Sequence, residues 1–162
     1  MLIRKLAAIA VLSAVAGTAA ATTTINASNC ASNGQLYTNT APRIVNSRLA
    51  KHTYRICFTA FNTMYSGVAK QPLWSAEHLT GKRIAAHRGI ERHGRFHNLK
   101  AIPERYQNPL SAYTHNHYDR GHMAPAGDMP TKQAMHESFT MANMTAQWRV
   151  GRDSCKKQPN LH

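Results

Sequence analysis

The sequence predicts an α+β domain built on an antiparallel sheet. Three stretches carry that prediction. Tyr54 to Tyr65 is aromatic and β-leaning, Leu73 to Leu79 forms a second such run across a short basic loop, and residues 131–138 read as a short helix leading into another strand. Two β-leaning runs separated by a short turn make a hairpin, and the helix supplies the α component.

The chain opens with Arg4 and Lys5, an apolar run from Leu6 to about Gly17, and Ala19-Ala20-Ala21. That order is the n-region, h-region and A-x-A cleavage site of a secretory signal peptide over 1–21, implying export to the periplasm or medium. A membrane span is the competing reading, but the run is short and alanine-rich for one, and no later segment is long and apolar enough. Cleavage near Ala21 would remove two basic residues and no acid from a chain of formal charge +13. The excess that remains favours a polyanionic partner, because each neutralised phosphate releases condensed counterions. The basic residues are spread along the sequence, which suits a folded surface better than a tail.

Residues 22–50 are rich in Thr, Asn, Ser and Ala without periodicity, and read as a poorly ordered lead-in to a domain over 51–147. Of the three cysteines, Cys30 and Cys57 can pair in an oxidising compartment, leaving Cys155 over. Within Tyr54–Tyr65, Ile56, Phe58 and Ala60 share one face, and Ser66-Gly67 turns the chain. Pro72 opens the second run, where a missing donor is harmless, and Trp74 belongs to the sheet face or core.

Residues 81–117 read as a basic, histidine-rich loop. His115-Asn116-His117 invites a zinc reading with His122, but no nearby Asp, Glu or Cys set completes four ligands.

The stretch Tyr118-Asp119-Arg120-Gly121-His122-Met123-Ala124-Pro125-Ala126-Gly127-Asp128-Met129 is the one around which the chemistry gathers. Residues two apart on a strand share a face, so Arg120 and His122 converge on one bound group. An imidazole can take a proton from water, and a guanidinium fork matches phosphate oxygens. Beyond it, Thr131 caps the 131–138 helix, and Phe139 to Gln147 reads as a strand.

An isolated Arg-x-His carries little weight in a chain with ten histidines, but the longer string does. Asp119-Arg120-Gly121-His122 followed by Met123-Ala124-Pro125-Ala126-Gly127-Asp128-Met129 resembles the signature of the DNA/RNA non-specific endonucleases, a branch of the ββα-metal (His-Me finger) nucleases. The resemblance runs from about Tyr54 to Gln147. It implies a ββα-metal motif on an antiparallel sheet and sugar-non-specific hydrolysis of DNA and RNA phosphodiesters. His122 would be the general base and Mg²⁺, or Mn²⁺, the Lewis acid. Arg120 would clamp phosphate with Arg92 or Arg95, both of which precede Phe96. Asp119 would sit by the substrate, and Asn143 would face the catalytic pocket.

The resemblance stops at Gln147. The family's next helix carries an Asn metal ligand followed by Trp and Glu, whereas residues 148–162 match nothing in it. The motif therefore reads as incomplete at the C-terminus and its metal ligand is unassigned. A shifted reading frame near Gln147 is one explanation, and an unusual site completed by Asp153 and solvent is another. The rival function is an exported cationic nucleic-acid-binding protein without catalysis.

Overall fold

In a computed structural model the chain is described over residues 22–26, 30, 34–36, 40–114 and 117–148. The expected signal peptide, His115 and Asn116, and the tail from 149 with Asp153 and Cys155 lie outside the described residues.

A four-stranded sheet holds β1 (Thr23–Ile25), β2 (Thr53–Cys57), β3 (Asn62–Ser66) and β4 (Gln71–Ala76) in that spatial order. β3 and β4 pair antiparallel, as the hairpin reading expected; β2 also pairs antiparallel with β3, and β1 runs parallel to β2. β1 lies in the stretch that composition alone gave no regular structure. Its three residues gain their order from pairing with β2, and Thr22 Oγ1 lies 2.9 Å from Thr53 Oγ1. The disulfide Cys30–Cys57 forms, with Cα atoms 5.1 Å apart, and ties the segment after β1 to the end of β2. Closing a loop of 27 residues contributes about 3–4 kcal/mol on the chain-entropy argument.

The Tyr54–Tyr65 run is not one strand. Phe58 N–H donates to Phe61 O at 2.9 Å, and the two rings stack with centroids 4.4 Å apart. Ile56, Phe58, Ala60 and Phe61 all reach the core, but through a reversal rather than along one extended face. Periodicity reports which side chains are buried, and both a strand and a tight turn satisfy it here. β3 and β4 then join through 67–70, and the register slips at Met64/Tyr65, opposite Pro72 and Trp74.

The 81–117 region also departs from the loop reading. It begins with α1 (Gly81–His87), whose N-cap Thr80 accepts from Arg83 N–H at 3.2 Å. Thr80-Gly81 looked like the end of a strand because the same residue types close strands and cap helices. Arg83 on α1 then binds Glu77 Oε2 at 3.1 Å, Gln35 Oε1 at 2.7 Å and the Asp128 carbonyl at 3.2 Å, so the helix is held by charge and hydrogen bonds.

A two-stranded antiparallel ribbon, β5 (Tyr118–His122) with β6 (Met144–Trp148), forms a second sheet. Between them α2 (Lys132–Ser138) starts at Thr131, whose side chain accepts from Ala134 N–H, as expected. The strand expected from Phe139 begins only at Met144, because Met141–Asn143 form a 3-10 turn capped by Thr140. Met129, Ala134, Met135, Phe139 and Ala142 join Tyr54, Ile56, Phe61 and Tyr65 in one core. Burial of such side chains is worth about 1.5–3 kcal/mol each for the larger ones.

Candidate active site

Pairing of β5 with β6 decides which side chains face together. Direct antiparallel partners share a face, so Tyr118, Arg120 and His122 lie with Trp148, Ala146 and Met144. Gly121 belongs to the other face, where a Cβ would press on the Gln147 side chain and approach the Thr145 carbonyl. On that face Thr145 Oγ1 also reaches Gln71 Oε1 of β4 at 3.4 Å. The ribbon is thus buried on both faces at its His122/Met144 end and exposed on both at its Tyr118/Trp148 end.

His122 sits half-buried against two phenyl rings, edge-on to Phe139 at 4.9 Å and tilted to Phe96 at 6.0 Å. Its Nε2 is enclosed without a hydrogen-bond partner. Burial lowers its pKa from 6.5 to about 4, and the nearby Arg92 charge pushes in the same direction. The ring is therefore a neutral imidazole across the physiological range.

Arg92 and Arg95 are now distinguishable. The Arg92 guanidinium lies 5.4 Å from the centre of the Phe139 ring, beside His122, and Arg92 itself is exposed. Arg95 is exposed too, but no contact draws its side chain to His122; its carbonyl meets His97 Nδ1 at 3.1 Å. The reason lies in Gly94, where any Cβ would run into the Phe139 ring. The backbone passes directly over that ring and delivers the residue two before the glycine to its face. The same loop is stitched down by His97 N–H to Phe139 O at 3.3 Å and Met141 N–H to His97 O at 2.8 Å.

Arg120 shares the face of His122, but as a partly committed group. Its guanidinium lies 4.8 Å from the Phe96 ring centre and 5.6 Å from that of Tyr113, and Nη2 donates to the Leu110 carbonyl at 2.6 Å. Phe96 therefore contacts both members of the Arg-x-His pair, and the charge His122 feels is that of Arg92.

Two expected site residues are elsewhere. Asp119 is exposed and, between Tyr118 and Arg120 on β5, projects from the opposite face of the ribbon. Asn143 is fully buried (0% exposed) rather than facing an open pocket. Its Oδ1 accepts from Ala124 N–H at 2.9 Å and Ser75 Oγ at 3.2 Å, and its Nδ2 donates to Ala124 O at 2.9 Å and Ser138 O at 3.0 Å. Met123 N–H adds a bond to Asn143 O at 2.9 Å. Asn143 fixes the turn after His122 to α2 and β4, because an isolated buried amide would be costly.

Among the described residues no group of three or more His, Cys, Asp or Glu comes together. Asn143 is committed, Asp119 faces away, Glu77 pairs with Arg83, and Glu137 binds Thr59. Sequence reasoning missed Phe139 and Gly94. The signal for both was a glycine between two candidate arginines, which asks what lies too close for a side chain.

An α+β fold whose two-stranded ribbon carries an Arg-Gly-His triplet beside a further arginine defines the class, a ββα-metal nuclease fold. The chain belongs to the DNA/RNA non-specific endonuclease family, whose description matches residues 39–154. Nuclease C1 of Cunninghamella echinulata var. echinulata is 38% identical over 80 residues, covering 48% of this chain and 32% of that protein. The mitochondrial nuclease of Saccharomyces cerevisiae is 35% identical over 88 residues, covering 54% and 27% respectively. The crystal structure of the EndoG/EndoGI complex, which addresses EndoG inhibition, superposes with a TM-score of 0.55 at 25% identity, over 67% of this chain and 47% of that one. The chain thus spans about a third or less of the length of these two curated relatives.

Proposed function

We propose that this chain carries the phosphodiester-hydrolysing half-site of a sugar-non-specific DNA/RNA endonuclease, with His122 as general base. The observation that carries the reading is a neutral imidazole walled by Phe96 and Phe139 with an exposed guanidinium, Arg92, at its side. Nε2 is enclosed, and the proposal therefore gives the base role to Nδ1. Nδ1 takes the proton, the water oxygen forms a bond to phosphorus, and the opposite P–O bond breaks with its electron pair going to the sugar oxygen, which takes a proton from solvent. Arg92 stabilises the negative charge that gathers on the non-bridging oxygens, and the part of Arg120 not bound to Leu110 holds the flanking phosphate. Contacts of this kind address the backbone rather than base edges, which supports action on both DNA and RNA. No step is assigned to Mg²⁺.

Purified chain with plasmid DNA or RNA, in Mg²⁺, Mn²⁺ or EDTA, beside His122→Ala, tests the reading. Nicking that requires His122 supports it. Binding without nicking that survives EDTA and the substitution, with a steep loss as salt rises, overturns it in favour of a cationic nucleic-acid-binding protein. That second reading rests on the formal charge of +13. Export is part of the proposal, supported by the Cys30–Cys57 bridge, a bond that persists in oxidising compartments.

A further inference from the structure

Beyond the reacting groups, the face of the β5–β6 ribbon that carries Arg120 and His122 ends, at its exposed end, in an aromatic cluster. Tyr118 and Trp148 are direct cross-strand partners, with ring centroids 5.4 Å apart and planes at 84°. The His117 ring stacks on the Trp148 indole, also at 5.4 Å, with planes 28° apart. Trp148 is nevertheless 58% exposed and Tyr118 41% exposed. Aromatic residues of that size are normally drawn into a core, and a grouped set left in water marks a contact surface.

Its position selects the occupant. Tyr118, Arg120 and His122 alternate on one face of β5, so aromatic, cation and base follow one another at two-residue steps. At about 3.3 Å per residue the cluster lies roughly 13 Å from His122 along the strand. That is a reach of a few nucleotides. Arg120 stands between them with its guanidinium over Phe96, and the chain as a whole is strongly cationic. A flexible polyanion with exposed aromatic faces at short intervals matches this sequence of groups. A base paired within a duplex has its faces already stacked and cannot use such a surface.

We propose that Trp148, backed by His117 and Tyr118, is a stacking platform for an unpaired nucleobase. It holds single-stranded nucleic acid so that a phosphate a few nucleotides away lies against His122. This deepens the nuclease reading and rests on it for the direction of the strand. The platform therefore makes the protein discriminate single strands from duplexes.

The test uses the full chain carrying His122→Ala, in EDTA, with a fluorescein-labelled oligothymidylate and a labelled duplex of equal length titrated separately. Trp148→Ala is expected to weaken oligothymidylate binding roughly 5- to 150-fold, the effect of losing one stacked base. Duplex binding and the salt dependence should stay unchanged. Trp148→Phe, which keeps a ring and guards against misfolding, should retain most of the single-strand affinity. Equal losses on both nucleic acids, or none on either, overturn the proposal. So does concentration-dependent self-association that Trp148→Ala abolishes without affecting oligothymidylate, which would make the cluster a contact between copies. Because the readout is binding without cleavage, its failure is separate from failure of the parent chain to nick plasmid.

Discussion

At the scale of single residues, His122 shows how a wall of phenyl rings sets a proton affinity. Its pKa of about 4, below the ordinary 6.5, keeps the base free of protons well into the acid range. The kcat/KM profile on a short oligonucleotide should lose its acid side near pH 4 rather than near 6.5. Arg92→Ala removes a like charge and should move that limb upward, with reduced rate, whereas Arg95→Ala should leave the limb in place. The stability consequence follows the same shift. Below 6.5 the unfolded chain binds a proton that the folded imidazole refuses, so His122 costs stability progressively as pH falls from 6.5 through about 4. Asn143→Ala should leave the Ala124 and Ser138 backbone groups without their partner and cost about 2–4 kcal/mol in urea unfolding, since each buried orphan costs about 1–3. The Arg120–His122 face was legible in the sequence, because strand alternation alone places it. The burial of Asn143 was not, since it depends on a 3-10 turn that shifts the strand's start to Met144.

Elements carry the next set of constraints. Thr131 was readable as a cap because a hydroxyl three residues before Ala134 N–H has one obvious use, and Thr131→Ala should cost about 0.5–2 kcal/mol. Thr80 does the same for α1 and went unread, since a turn glycine followed it and the helix buries none of its residues. A helix without a buried face leaves no apolar period to read. The loop over Phe139 gives a sharper case. Gly94→Ala should displace the Phe139 ring or lift the loop, lowering the rate of cleavage with Arg92 still present. Circular dichroism should show the fold retained, as the clash is with one side chain rather than with a strand. An unchanged rate would show that the loop's height over the ring does not matter.

For the molecule as a whole, two titrations of opposite sense meet between acid and neutral pH. The Glu77 carboxyl is raised to about 7, chiefly by burial and then by Asp128, with Arg83 opposing. Its contribution to stability is complete below the ordinary 4.5 and is lost as pH rises through about 7, the reverse of the His122 dependence. Glu77→Gln should remove the decline on the neutral side and leave the acid-side loss from His122, as followed by thermal unfolding across that range. Reading the fold from the sequence succeeded where one hairpin and one capped helix were enough. It failed where distant segments decide the outcome, as when Arg83 of α1 gathers Glu77, Gln35 and the Asp128 carbonyl. The disulfide has a bearing on this larger organisation. β1 is a three-residue outer ribbon whose neighbouring segment is leashed by Cys30 to Cys57. In a thiol-rich solution that leash opens, and loss of β1 would bare the main-chain donors and acceptors along the flank of β2. A flank in that state is a template onto which another molecule's backbone can add. Reduction of Cys30–Cys57 is thus expected to promote association between copies, seen as a thiol-dependent rise in sedimentation coefficient with concentration.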